Sequence, residues 1–165
     1  MWYLILILII VAGLISYRVV TYPTCDSLLR IWENYGYLIN LYRGLIDKSI
    51  VVGIIWLESR GNPNARQYHE AGQTWAIGLM QVTQRACEYW GFNPERLNEA
   101  WYNIMVGCHI LNQLYLRAIT DGEADKYYWV GAYSEGYTNR YSANSIKYRD
   151  RILAIADKFN RCIGG

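Results

Sequence analysis

The chain of 165 residues carries 16 basic and 14 acidic side chains, a formal net charge of +2, and no run of Lys or Arg that would follow a phosphate backbone. These values exclude nucleic acid as an expected partner, and the length beyond an apolar N-terminal segment suits one domain with one core. The 16 Tyr and 7 Trp, against 2 Phe, supply rings with a polar edge, which suit either a groove for a sugar polymer or a core and a membrane interface.

The first segment of the chain is strongly apolar. No charge occurs in residues 1–17, and residues 4–11 are entirely aliphatic. We interpret residues 1–22 as a single membrane-spanning anchor, followed by a soluble domain over residues 23–165. A cleaved signal peptide is the alternative, although a basic n-region and a small-residue cleavage site are missing. Arg18, which follows the uncharged residues 1–17, weakly favours a cytoplasmic domain by the positive-inside rule.

The rest of the chain predicts a mainly α domain, because apolar residues recur at helical spacing and no sustained period-2 alternation occurs. The segment between a capping Asp47 and a terminating Gly61 is apolar on nearly every face, which is typical of a buried helix. We predict helices over residues 27–35, 48–59, a short stretch capped by Thr83, 101–118, 126–134 and 144–161.

The four cysteines, Cys25, Cys87, Cys108 and Cys162, have no Cys/His spacing that suits zinc, so the sequence predicts no metal site and no cofactor. An even number of cysteines after a membrane segment fits one or two disulfides in an oxidising compartment, with three pairings open. Buried free thiols are the alternative.

Glu58 is the only carboxylate at the end of the predicted buried helix, directly after Leu57. Apolar surroundings and the negative end of the helix dipole both disfavour its charge, so we expect a raised pKa. A carboxylic acid that keeps its proton near neutral pH can donate it to a glycosidic oxygen. The alternative is a Glu58 that ends a surface turn and points to water.

Several motifs follow one another between Cys25 and Arg151: Glu58-Ser59 in ESRGNPNA, Gly78-Leu79-Met80-Gln81 in AIGLMQ, Asn103 with Gly107 and Leu111, Ala132-Tyr133, and a late Tyr148. Together they resemble the soluble lytic transglycosylase (SLT) domain, a lysozyme-like family that cleaves peptidoglycan, similar in fold to goose-type lysozyme. The resemblance implies Glu58 as the catalytic residue. It also implies that the substrate is bound by Ser59, Gly78, Leu79, Met80, Gln81, Tyr133, Ser134 and Tyr148.

The resemblance further implies a mechanism with one carboxylate. Glu58 would protonate the oxygen between N-acetylmuramic acid and N-acetylglucosamine and then deprotonate the muramoyl O6, which leaves a 1,6-anhydro ring. The N-acetyl group would assist at C1, Gln81 and Tyr133 would position the sugar, and Tyr148 would hydrogen-bond near Glu58.

The chain departs from the family pattern at several positions. Ser134 stands where the family usually has Asn, and Gln67 stands where a Ser is common. We predict that the segment from Gln67 to Trp75 is an extended loop that would cover the groove, and Trp75 replaces a usual Gly.

Two alternatives to the transglycosylase interpretation stay open. One is a hydrolase like the goose-type lysozymes, with Glu70 as the second carboxylate. The other is a non-catalytic glycan-binding or structural subunit of a membrane assembly. The expected partners are peptidoglycan glycan strands and a membrane, with the domain facing the periplasm and cell wall, within a larger phage, secretion or conjugation assembly.

Overall fold

A computed structural model describes residues 22–70 and 72–164 of the chain. The predicted anchor lies outside these ranges apart from Tyr22. No helix within the described ranges combines the length and the apolar character needed to cross a bilayer.

In chain order the elements are α1 (Cys25–Tyr42), α2 (Lys48–Ser59), β1 (Arg66–His69), β2 (Thr74–Ile77), β3 (Val82–Thr83), α3 (Gln84–Tyr89), a 3-10 turn (Pro94–Asn98), α4 (Ala100–Thr120), a 3-10 turn (Ala124–Lys126), α5 (Tyr128–Glu135), a 3-10 turn (Tyr137–Asn139) and α6 (Ala143–Gly164).

Helix α2 is the buried centre of the domain, as its apolar sequence predicts. Asp47 caps it, since its carboxylate accepts a hydrogen bond from the Ser49 amide at 2.7 Å. Residues 50–56 have almost no exposed surface, and α1 and α6 pack against the helix. Arg60 and Gly61 then adopt left-handed backbone angles that end the helix after Ser59.

Helix α1 extends well beyond the predicted residues 27–35. The prediction stopped before Gly36, a residue type that usually weakens a helix. In the structure this glycine makes room for the ring of Trp32 one turn earlier, because a Cβ at Gly36 would lie 2.9 Å from it. Tertiary packing therefore keeps the helix intact through Tyr42.

One disulfide joins the beginning of α1 to the end of α6. Cys25 and Cys162 are bonded, with their Cα atoms 5.6 Å apart and 137 positions between them in sequence. Cys87 and Cys108 are buried free thiols. The expectation of a disulfide is therefore confirmed for Cys25 and Cys162, and the alternative of buried free thiols is confirmed for Cys87 and Cys108.

The prediction of a loop over Gln67–Trp75 is wrong, because this segment forms most of an antiparallel hairpin. Strands β1 and β2 pair from Arg66 with Ile77 to His69 with Thr74, and β3 pairs on the other side of β2. Each strand has at most four residues and β1 is exposed along its whole length, so no apolar alternation is visible in the sequence.

The remaining predicted helices are confirmed with small shifts at their ends. The Thr83 hydroxyl accepts a hydrogen bond from the Ala86 amide at 3.1 Å and caps α3. Helix α4 buries one face along its length, and α5 and α6 pack against each other and complete the α-helical lobe. The expectation of a mainly α domain is confirmed.

Candidate active site

The site forms where the end of α2 meets the beginning of α6. Glu58 occupies the last turn of α2, and the Tyr148 hydroxyl of α6 donates a hydrogen bond to its Oε1 at 2.5 Å, across 90 positions of sequence. The two helices approach closely at Gly53, where a Cβ would lie 3.2 Å from the carbonyl oxygen of Ile152. Small side-chain volume at that crossing therefore allows Tyr148 to reach the carboxyl group.

Burial raises the pKa of Glu58 above its usual value. The hydrogen bond from Tyr148 and the positive charge of Arg151 act in the opposite direction and lower the pKa by less. The predicted direction is confirmed, with burial as the largest cause. All 14 acidic side chains of the chain lie in the described ranges, and none of the other 13 acts to raise this pKa.

Two partly buried tyrosines accompany the carboxyl group. Burial, and then the charge of Glu58, raises the pKa of Tyr133 and of Tyr148 well above the usual tyrosine value. Both phenols therefore keep their protons over the working range of pH and serve as donors. The Tyr133 hydroxyl donates to the carbonyl oxygen of Met80 at 3.0 Å.

Ser59 connects the end of α2 to the turn formed by residues 78–81. Its hydroxyl is buried and lies 3.0 Å from the Ile55 carbonyl oxygen and 2.8 Å from that of Leu79. The Gly61 amide donates to the same hydroxyl at 3.2 Å. Ser59 therefore positions the turn against the end of α2.

The turn itself presents its backbone to the site. Leu79 and Met80 were predicted to bind substrate, but their side chains are fully buried in the core and do not reach the surface of the site. Their main-chain carbonyls instead accept hydrogen bonds from Ser59 and Tyr133 and hold the turn in place. Gly78 and Gln81 have positive φ angles of 78° and 47°. The side-chain Nε2 of Gln81 donates to the carbonyl oxygens of Gly78 at 2.9 Å and Ala65 at 3.1 Å.

Asn103 is a positioning residue whose role the sequence did not reveal. It is fully buried in α4, where its Oδ1 accepts from the Met80 amide at 2.8 Å. Its Nδ2 donates to the carbonyls of Ile77 at 2.7 Å and Leu97 at 3.1 Å. The available signal was a polar residue on the apolar face of a long helix, since a buried amide needs partners.

The other predicted site residues lie at the edges of this cluster. Ser134 is exposed, and its hydroxyl donates back to the Gly131 carbonyl of its own helix at 2.8 Å. Gln67 is exposed on β1. Glu70 is exposed in the turn after β1, and no hydrogen bond links it to Glu58. The structure thus brings together Glu58, Tyr148, Tyr133 and the 78–81 turn, but not Glu70.

Comparison with known proteins agrees with this arrangement. The family model of the transglycosylase SLT domain matches residues 39–154, which is more than half of the chain. A membrane-bound lytic murein transglycosylase C from Glaesserella parasuis serovar 5 is 37% identical over 103 residues, a match that covers 55% of this chain and 27% of that protein. The chain thus spans little more than a quarter of this relative. From the extent of the family match, the chain belongs to the transglycosylase SLT domain family.

Proposed function

We propose that the chain is a peptidoglycan lytic transglycosylase that cuts between N-acetylmuramic acid and N-acetylglucosamine and leaves 1,6-anhydromuramoyl ends. The observation that carries the proposal is the contact between Glu58 and Tyr148 at 2.5 Å, at a carboxyl group whose pKa burial raises. The first step requires a carboxylic acid that can donate a proton, and a raised pKa at the end of a buried helix favours the protonated form of Glu58.

The contact with Tyr148 assigns different tasks to the two oxygens of Glu58. The phenol of Tyr148 stays protonated, and its O–H donates a hydrogen bond to Oε1 of Glu58. Oε2 is therefore the oxygen that can hold the transferable proton. As the bond between C1 and the leaving oxygen breaks, that oxygen takes the proton from Oε2. The N-acetyl group of the muramoyl ring assists at C1.

The second step uses the same carboxyl group in its charged form. The hydrogen bond from Tyr148 and the charge of Arg151 both favour the carboxylate and therefore stabilise it after the first transfer. The carboxylate then takes the proton of the muramoyl O6, and O6 closes onto C1. Glu58 ends the cycle protonated, and no water is consumed.

Within the described ranges, Glu58 has Tyr148 as its hydrogen-bond partner and Arg151 as its charged neighbour rather than a second acid, which supports this route over hydrolysis. A glycosidase with two carboxylates holds them about 5 to 10 Å apart, at which distance they interact electrostatically. Among residues 22–70 and 72–164, no carboxylate acts to raise the pKa of Glu58. A hydrolase with Glu70 as the base for a water is the competing proposal, and product analysis separates the two.

We also propose that the domain works on the cell-wall side of a membrane, anchored by residues 1–22. The Cys25–Cys162 disulfide supports an oxidising compartment, where such bonds persist. We give this disulfide more weight than Arg18, whose single charge only weakly favours a cytoplasmic domain. The setting in a phage, secretion or conjugation assembly stays a prediction.

Digestion of purified peptidoglycan, followed by mass analysis of the muropeptides, tests the activity. Anhydro ends, lighter by one water than reducing ends, are expected from the wild type and from Glu70→Gln. Replacement of Glu58 by Gln keeps the acceptor for Tyr148 and removes the acid, so turnover should fall at least about a thousandfold. Reducing ends that depend on Glu70 would establish the hydrolase instead, and binding without turnover would establish a glycan-binding subunit.

A further inference from the structure

A groove of about 450 Å³ lies beside the candidate active site, between α3, α4 and α5. Tyr133 lines it and also donates to the Met80 carbonyl of the 78–81 turn, so the groove and the site share this residue. Tyr89 and Trp90 contribute aromatic rings, and Gln113 and Ser134 contribute polar groups. This volume is within the usual range for a ligand pocket.

The charge of the groove has one source. Arg117 is the only charged side chain that lines it within the described ranges, and no acidic side chain there does so. Its guanidinium lies over the ring of Tyr137, 4.2 Å from the ring centre. Stacking of this kind orients an Arg and leaves its N–H groups free for a partner.

Arg117 forms no ion pair with any residue in the described parts of the chain. Asp121, one helical turn away, is engaged elsewhere: its carboxylate accepts from the Tyr137 hydroxyl at 2.6 Å and lies 3.7 Å from Arg140. The groove therefore presents an oriented cation, and the acid that follows α4, Asp121, already has partners.

We propose that this groove binds the peptide stem of the substrate strand and that Arg117 pairs with a carboxylate of that stem. The inference rests on the proposed function. The alternating N-acetylated sugar backbone carries no charge, whereas the peptides attached to its muramoyl units carry carboxylates. An Arg recognises a planar carboxylate through two parallel N–H bonds, which gives the contact its selectivity.

Binding to soluble strands, measured by calorimetry with Glu58→Gln protein so that nothing is cut, tests the assignment. Three probes are compared. They are strands with intact stems, strands whose stem carboxylates have been converted to amides, and strands whose stems an amidase has removed and whose newly exposed lactyl carboxylates have then been converted to amides. We expect intact stems to bind about tenfold more tightly than either other probe.

Arg117→Gln in the same background should bind all three probes alike, while Arg117→Lys should retain part of the preference. The matched control is Arg161→Gln, which removes an equal charge from an exposed position on α6, 13 residues and roughly 20 Å beyond Tyr148. This control should keep the full preference.

Equal binding of the three probes by the parent protein would overturn the assignment. The assignment would also be overturned if Arg117→Gln lost the same amount of affinity for all three probes. It would likewise be overturned if Arg161→Gln lost as much of the stem preference as Arg117→Gln, because that would indicate a general effect of charge. A failure of the proposed function looks different, because protein with Glu58 intact would then show the stem preference in binding and still cut no strand.

Discussion

Asn103 occupies the space that a side chain at Gly78 would need, since a Cβ at Gly78 would lie 2.7 Å from the Asn103 Cγ and closer still to its Nδ2. The same amide holds the backbone of Ile77 and Met80 by hydrogen bonds of 2.7 and 2.8 Å. The turn beside Glu58 is thus kept in place by one buried side chain that requires glycine opposite it.

Replacing Gly78 by Ala should destabilise the domain by about 3 kcal/mol, from backbone strain at φ 78° together with displacement of Asn103. Gly91→Ala is the matched control, because Gly91 has φ 77° but nothing within 4 Å of its Cβ position. Strain alone should cost that variant about 1 kcal/mol. Urea unfolding measures the free energy of unfolding of both variants. An equal decrease in the two variants would show that Asn103 moves aside without cost.

Replacing Glu58 by Gln should stabilise the protein at neutral pH. The folded-state pKa of Glu58 is raised, so the stability that this group contributes is fully present below the usual glutamic acid pKa and is lost as pH rises through the folded value. A difference of one between the folded and unfolded pKa values corresponds to about 1.4 kcal/mol of folding free energy. Gln remains neutral and avoids this loss.

Thermal unfolding of wild type and Glu58→Gln across pH checks the prediction. The difference in Tm should grow as pH rises from the usual glutamic acid pKa and become constant above the folded-state pKa. Glu88→Gln on the exposed surface of α3 is the control and should show no such growth. A Glu58→Gln protein that is less stable than wild type at neutral pH would count against a buried, proton-retaining carboxyl group.

Replacing Tyr148 by Phe should raise the pKa of Glu58 further, because the hydrogen bond from Tyr148 favours the carboxylate. The alkaline limb of the kcat/KM profile should move to higher pH. The maximal rate should fall about ten- to a hundredfold, because the carboxylate of the second step loses its donor.

Rates of muropeptide release over a range of pH provide the measurement. Tyr37→Phe is the control, since Tyr37 is 79% exposed on α1 and far in sequence from the site. A profile of Tyr148→Phe that matches the wild-type profile in both limbs would remove the tyrosine from the proton transfer.

Replacing Cys25 by Ser should lower the free energy of unfolding by about 2 to 5 kcal/mol, because the disulfide closes a loop across 137 positions. Cys87 and Cys108 should resist alkylation in the native protein, since burial raises their pKa values to about 11 and about 12.

Chemical denaturation of wild type and Cys25→Ser measures the first effect, and Cys162→Ser should show an equal loss. Mass analysis after iodoacetamide treatment measures the second. Two alkylated sites are expected in unreduced, unfolded wild type and none in the native protein. Four alkylated sites in the unfolded, unreduced chain would contradict the pairing.

Local sequence was sufficient to predict helix α2 and the position of Glu58 at its end. An Asp cap, an apolar run and a Gly terminator act within a few residues of one another, so they define α2 and place Glu58 at its end without any distant contact. The same local signals identified α3 and α4. Burial followed from the apolar run, and with it the direction of the Glu58 pKa shift.

Contacts between distant segments decided the rest. Tyr148, which the family resemblance but no local signal placed near Glu58, lies 90 positions away from it in sequence. The choice of disulfide depends on the ends of α1 and α6 meeting, and the roles of Asn103 and Arg117 depend on what surrounds them. The β1–β2 hairpin was missed because it is too short and too exposed to leave a periodic pattern. Pairings of this kind are set by the packing of whole helices, whose energy no short window of sequence contains.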